Sequence, residues 1–260
     1  MLDLHAVVLD DMVLGWRKDE APTEHSILLL VARGQLTYRL NGAELALHKG
    51  DLLYIPQGTL RSASNDPQGP HQKYSAHFLA PAPPALPLPD PAAIWLVRAR
   101  NSDYLHQRFA LIAQHWYGRL PHARAICTGG VIELLGLMGR ELEMDRYSAA
   151  KRRLVEAAQA YLIARYREPL RLDELARHLQ RSPNYVTQTY REVTGMTPTA
   201  YVHHLRIQAA RDLILTAGKT IGETSDYLGF SDQAHFNRVF KKQMGYPPSA
   251  LLRGRSHFDA

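Results

Sequence analysis

Cysteine is nearly absent from this chain: Cys127 is the only one in 260 residues, which excludes an internal disulfide and any multi-cysteine zinc site. Its apolar neighbours predict a buried small side chain with no chemistry of its own. No apolar run approaches the roughly 18 to 20 residues that a membrane span needs. The opening segment MLDLHAVVLDDMVL carries acids where a secretory signal carries bases, so the reading is a cytoplasmic protein with no membrane partner. No His-x-His pair occurs anywhere. That withholds the close-set imidazoles by which Fe, Mn or Zn is commonly held, and neither a metal site nor another cofactor is expected.

What is present is a chain that is 45% hydrophobic, enough to bury sizeable cores, with an uneven charge. Residues 1–145 hold 13 Lys and Arg against 15 Asp and Glu, a net −2, whereas residues 146–260 hold 18 against 10, a net +8. The basic half is where a polyanion is expected to bind.

Residues 25–79 read as β. Short runs at Ile27–Val31, Leu36–Leu40 and Leu52–Ile55 are separated by turn signals at Arg33-Gly34, Asn41-Gly42, Lys49-Gly50-Asp51 and Pro56-Gln57-Gly58, the pattern of a small barrel or sandwich. From Ala80 to Ala93 six prolines (81, 83, 84, 87, 89 and 91) exclude helix and central strand, and a surface excursion is expected. Between Ser102 and Met144 the spacing turns helical, with Phe109, Ile112 and Trp116 on one face and Ile132, Leu135, Met138 and Leu142 on another. The crowding of Leu134, Leu135, Leu137, Met138 and Leu142 exceeds what one helix is expected to bury against a small barrel, which points to a homodimer through these helices.

An internal repeat fills the C-terminal part. Leu172, Leu179 and Ser182 align with Ile221, Leu228 and Ser231 at a shift of 49, and Val186, Tyr190, Gly195 and Pro198 align with Phe236, Phe240, Gly245 and Pro248 at a shift of 50. Each copy reads as a helix, a short turn, a capping residue and a second amphipathic helix, which is the grammar of a helix-turn-helix. With Val186, Tyr190 and Val193 turned inward, Asn184, Thr187, Gln188 and Arg191 share the outer face. With Phe236, Val239 and Phe240 inward, Gln233, Ala234, Asn237, Arg238 and Lys241 do, flanked by His235 and Lys242. Both outer faces are amide-rich and free of acid. Asn, Gln and Arg match purine edges in the major groove, and Lys or Arg near the helix ends suits phosphate.

At these residues the chain resembles the AraC/XylS family of regulators. The carriers are Ile221, Leu228-Gly229-Phe230-Ser231-Asp232, Phe236-Asn237-Arg238-Val239-Phe240-Lys241 and Gly245-Tyr246-Pro247-Pro248, with Tyr201, Leu205-Arg206, Ala209-Ala210-Arg211 and Leu213 on the connecting helix. Thr224 and Ser225 depart from it, standing where the family usually has an aliphatic residue and Ala. Tyr190 replaces a usual Phe, and Gln188 a frequent Arg. The resemblance extends to a cupin-like sensor, since Gly50-x5-Pro56-x-Gly58-x2-Arg61-x3-Asn65 follows a cupin motif with Arg61 in place of its histidine. Val31-Ala32-Arg33-Gly34-Gln35 is similar to the segment that faces the pocket in sugar-sensing relatives, while their aromatic stacking positions fall on Ala63 and Ala76. Arg33, Tyr38, Tyr74 and His77 are the candidate ligand residues; Tyr54 is a further aromatic in the same strands.

The reading is therefore α+β: a cupin-like β-barrel at 1–95, a helical dimerisation segment at 96–147, and an all-α domain at 148–260 with helix-turn-helix units at 172–193 and 221–243. The resemblance implies a transcription regulator, an activator by family habit. Its partners would be double-stranded DNA, a small-molecule effector (a sugar or small acid), RNA polymerase and a second copy of itself. A cupin-type enzyme with a helical appendage and a regulator that senses no ligand are the alternatives.

Overall fold

Turn residues set the strand register of the N-terminal region. Asn41 and Gly42 both take positive φ, 49° and 83°, which closes a two-residue hairpin between β4 (Gln35–Leu40) and β5 (Ala43–His48). Gly34, at φ 70°, turns β3 (Ser26–Arg33) into β4, and a side chain there would meet the Pro70 carbonyl. The other strands are β1 (Asp3–Asp11), β2 (Arg17–Pro22), β6 (Asp51–Ile55), β7 (Leu60–Asn65), β8 (Gln72–Leu79) and β9 (Trp95–Arg98). They form two antiparallel sheets, ordered β1-β8-β3-β6-β9 and β2-β7-β4-β5. The three strand runs read from the sequence are present, but β1 and β2 precede the expected start at residue 25 and β9 follows the proline segment.

The computed structural model describes residues 2–80, 86–98 and 101–253, and the chain divides into two compact units, residues 1–146 and 147–260. In the first unit the five-stranded sheet is covered on both faces. Ile27, Leu29 and Val31 of β3 face the four-stranded sheet, while Leu28 and Leu30 face two helices, α1 (Ser102–Gly118) and α2 (Ala123–Met144). β3 accordingly reads as a continuous apolar run, as a strand buried on both sides does. Cys127 lies buried in the same layer, its thiol against the Ile112 carbonyl at 3.3 Å.

Two expectations change here. The apolar crowd on α2 is covered within the chain: Leu134, Leu135 and Met138 have no exposure and pack with the outer face of the sheet. The proline-rich segment is not purely a surface excursion, because Leu88 is buried in that layer and the Tyr54 hydroxyl donates to the Pro91 carbonyl at 2.9 Å. Prolines 81, 83 and 84 lie outside the described residues, as do the last residues of the expected C-terminal domain.

The second unit is helical throughout: α3 (Ala149–Arg165), α4 (Leu172–His178), α5 (Pro183–Thr194), α6 (Pro198–Leu215), α7 (Ile221–Tyr227), α8 (Gln233–Met244) and α9 (Ser249–Arg253). It has two small cores that share α6. Val202 near its start packs with α3, α4 and α5, while Ile207, Ala210 and Ile214 pack with α7 and α8.

Candidate functional site

Each copy of the repeat builds the same short corner. α4 and α7 are each followed, two residues on, by a residue at positive φ, Gln180 at 53° and Gly229 at 73°. A cap follows: Ser182 accepts from the Tyr185 N–H, and Asp232 accepts from the His235 N–H at 2.6 Å. Such caps satisfy the free N–H groups that open a helix. The backbone bond to His235, then the Ser231 hydroxyl, holds the Asp232 carboxyl below the usual carboxylate range, as a charged cap on a helix N-terminus should be. Tyr190 and Phe236 with Phe240 anchor the two second helices, each without exposure.

The outer faces of α5 and α8 stand clear of both cores. Asn184, Gln188 and Arg191 are exposed and Thr187 is half-buried, its hydroxyl donating to the Pro183 carbonyl at 2.9 Å. Gln233, Ala234, Arg238, Lys241 and Lys242 are exposed and Asn237 is half-buried. His235 turns back instead, its ring edge-on to Phe230 and to His203 and its Nδ1 3.2 Å from the Ser231 hydroxyl. The acid on α5, Glu192, pairs with Lys151 at 2.7 Å, and α8 has none. Arg238 lies beyond ion-pair distance of Asp232, although its charge still helps to hold that carboxyl down.

Arg206, one residue of a longer motif in the sequence, has a specific job in the structure. It is buried, and its guanidinium donates to three backbone carbonyls: Tyr166 at 2.6 Å, Glu168 at 2.7 Å and Gly229 at 2.7 Å. Tyr166 and Glu168 lead into the first helix-turn-helix, and Gly229 is the corner of the second. A charged group satisfied by three fixed acceptors is a strong, directional tie. It fixes the corner carrying α8 against the segment preceding α4. The available signal was one Arg in a helix whose neighbours Val202, Ile207 and Ala210 all face cores.

The four candidate ligand residues fall into two pairs. Tyr38, without effective exposure, and His77 lie between the two sheets. Burial pushes the Tyr38 phenol up against the opposing charge of Arg61. Burial, then Arg61 and other cations, takes the His77 imidazole down to about 4. Tyr74 faces the other way, its ring stacked 6.0 Å from Phe109 and edge-on to His106 of α1. Arg33 is exposed at the end of β3, on a separate groove of about 190 Å³ lined also by Lys49, Ser102 and His106.

Comparison with known proteins covers both units. Residues 175–254 match a helix-turn-helix domain, and residues 7–86 match the AraC-like ligand binding domain. The uncharacterized HTH-type transcriptional regulator YidL of Escherichia coli (strain K12) is 32% identical over 103 residues, which are 40% of this chain and 35% of that protein. The MmsAB operon regulatory protein of Pseudomonas aeruginosa is 25% identical over 254 residues, covering 89% of this chain and 76% of that protein. The crystal structure of ToxT from Vibrio cholerae O395 aligns with 97% of this chain and 96% of its own at 11% identity and a TM-score of 0.37, a likeness too loose to compare residues. With an AraC-like ligand binding domain ahead of a helix-turn-helix domain of this kind, the chain belongs to the AraC family of DNA-binding transcriptional regulators.

Proposed function

We propose that the protein recognises a specific DNA site by setting α5 and α8 into successive major-groove turns, about 34 Å apart along the duplex, and activates transcription there in response to a small molecule held between its sheets. The observation that carries this reading is the pair of exposed, amide-rich faces on α5 and α8, each projecting from its own core and both tied to α6. The net +8 of residues 146–260 supplies the non-specific attraction to phosphate. Residues 148–260 are the DNA-binding domain, 1–95 the sensor and 96–147 the dimerisation segment; Leu111, Tyr117, Ile126 and Ile132 are among the exposed apolar groups of its helices. The protein works in the cytoplasm, meets RNA polymerase at the promoter and is not an enzyme.

Arg238 and Arg191 separate the roles on these faces. Arg238 lies near the middle of α8, a turn after Ala234, whose small side chain lets the helix approach the groove, and its exposed guanidinium suits guanine. Arg238→Ala should cost about 1 to 3 kcal/mol on the preferred site and flatten the preference at one base pair. Arg191 sits in the last turn of α5, where a helix leaves the groove. Arg191→Ala should weaken all sequences alike and lower the salt slope by about one unit. Selection of sites from random DNA with both variants tests this. An Arg238→Ala protein that keeps the parent's preference at every position would refute base reading by α8.

A further inference from the structure

The space between the two sheets has two chemically different halves. On one side Ile27, Leu29, Val31, Leu53 and Ile55 are fully buried and apolar. On the other, β8 turns Tyr74, Ala76 and Phe78 to the helices and therefore turns Lys73, Ser75 and His77 inward, because side chains alternate along a strand. Lys73 is only 3% exposed. β7 faces it with Arg61, Ala63 and Asn65, the alternation being fixed by Ala63 in the inter-sheet core.

The charges in this half do not balance. Asp10 is its carboxylate, and it is fully engaged: it pairs with Lys73 and accepts the Trp16 indole N–H at 2.9 Å. Against the cost of its own burial, Lys73 and Trp16 hold the Asp10 carboxyl below its ordinary range. Arg61 is half-buried and has no ion-pair partner among the described residues; its guanidinium meets the Tyr38 hydroxyl, while its Nε is buried without a hydrogen-bond partner. His71, 1% exposed, also has a buried and unpartnered Nε2, while its Nδ1 lies 2.7 Å from the Asn65 side chain. A half-buried cation with an unmet donor is costly to keep and invites an anion to complete it. The cations add to burial at the imidazoles: burial, then the charges of Arg61, Lys73, His25 and Lys18, takes His77 to about 4. Burial and Lys73 take His71 to about 4 against the pull of Asp10.

Arg61 occupies the position at which the cupin motif carries a histidine, so the motif here delivers a guanidinium to the site where an imidazole would face a metal. A guanidinium fork fits a carboxylate through two parallel hydrogen bonds, and the apolar wall opposite suits a short hydrocarbon chain. A sugar is less well served, because the positions for aromatic stacking hold Ala63 and Ala76, and Ala76 faces the helices.

We propose that the polar half of the inter-sheet space binds the carboxylate of a small aliphatic monocarboxylic acid, with Arg61 as its principal contact and Lys73 as a second cation; this rests on the N-terminal domain being the sensor. The probes are sodium propionate, butyrate and hexanoate, their primary amides, and L-arabinose and D-xylose, applied to the full chain by calorimetry and thermal denaturation. At least one carboxylate should bind and raise the Tm while its amide does not. Arg61→Gln should weaken that carboxylate roughly 10- to 100-fold, as loss of a charge-assisted contact does, and should leave the unliganded Tm equal or higher because a half-buried cation with an unmet donor has gone. Arg61→Lys, which keeps the charge but not the fork, should retain weaker binding and serves if the Gln variant does not fold. Equal binding of acid and amide, or undiminished carboxylate binding by Arg61→Gln, overturns the proposal. Binding of a sugar or amide alone overturns the anion but keeps the sensor, whereas silence from every probe while operator binding persists overturns both.

Discussion

At the corner of the first helix-turn-helix the chain goes left-handed at Gln180, and at the corner of the second at Gly229. The hydrogen bonding around the two is the same. Gln180 N–H donates to Arg177 O at 3.1 Å and Arg181 N–H to Ala176 O at 3.0 Å; Gly229 N–H donates to Asp226 O at 3.0 Å and Phe230 N–H to Ser225 O at 3.1 Å. The backbone plan is thus duplicated and the residue is not. The reason lies outside the repeat. A Cβ on Gly229 would collide with the Arg167 carbonyl, which packs on the second corner, whereas Gln180 is exposed. Glycine is required where another backbone presses on the turn, and an ordinary residue is tolerated at a strain cost where none does.

The largest expected effect breaks this contrast directly. Gly229→Ala combines left-handed strain with a backbone clash and dislodges the carbonyl that Arg206 binds. It should destabilise the helical unit by about 3 kcal/mol or more. Gly245→Ala, also at positive φ (82°) but with open space around its Cβ position, should cost only about 1 kcal/mol. Urea denaturation of the two variants measures the difference, and equal losses would mean that the Arg167 contact contributes nothing.

A smaller effect separates the first helices of the two units. Leu175 and Ala176 fill the first core, and at the matching positions Thr224 and Ser225 are fully buried with hydroxyls that find no partner. An unsatisfied buried hydroxyl costs about 1 to 3 kcal/mol, so the second unit is the weaker by this feature. The capping box of Thr220 and Glu223 partly offsets it; α4 has no side-chain cap on Arg171. Thr224→Val and Ser225→Ala should each raise stability by about 1 kcal/mol, read as a higher denaturation midpoint at unchanged slope. A loss would show that these hydroxyls have partners on binding or in solution.

How far the sequence could be read follows from burial. The second helices of the repeat were legible because one face is buried and the other wet, so Val186, Tyr190, Phe236 and Phe240 stand out against their neighbours. β2, RKDEAP, is exposed along its whole length and has no apolar alternation to detect. β8 fails for the opposite reason. From Lys73 to Phe78 nearly every residue is buried, so alternation between faces leaves no polarity signal, and Tyr74 could not be told from His77 until the helices took one side. Arg61 stands out in the sequence as a replaced histidine, but its unmet donor depends on Asp10 being taken by Lys73 and Trp16, an arrangement across strands that no local pattern records.

The smallest expected effect returns to the first corner. Gln180 holds a left-handed conformation that costs an ordinary residue about 1 to 2 kcal/mol, while glycine gives back roughly half to one in unfolded-state entropy. Gln180→Gly should therefore stabilise by less than about 1 kcal/mol. Because Gln180 lies in the turn and not on the outer face of α5, its removal should leave operator affinity and base preference unchanged. Denaturation midpoints read the first quantity and site selection the second. A stabilised variant with weakened DNA binding would mean that Gln180 touches phosphate, and the strained conformation would then be kept for contact with DNA. A destabilised variant would mean that the side chain contributes more than its backbone strain costs, and the two corners would differ in chemistry as well as in what packs on them.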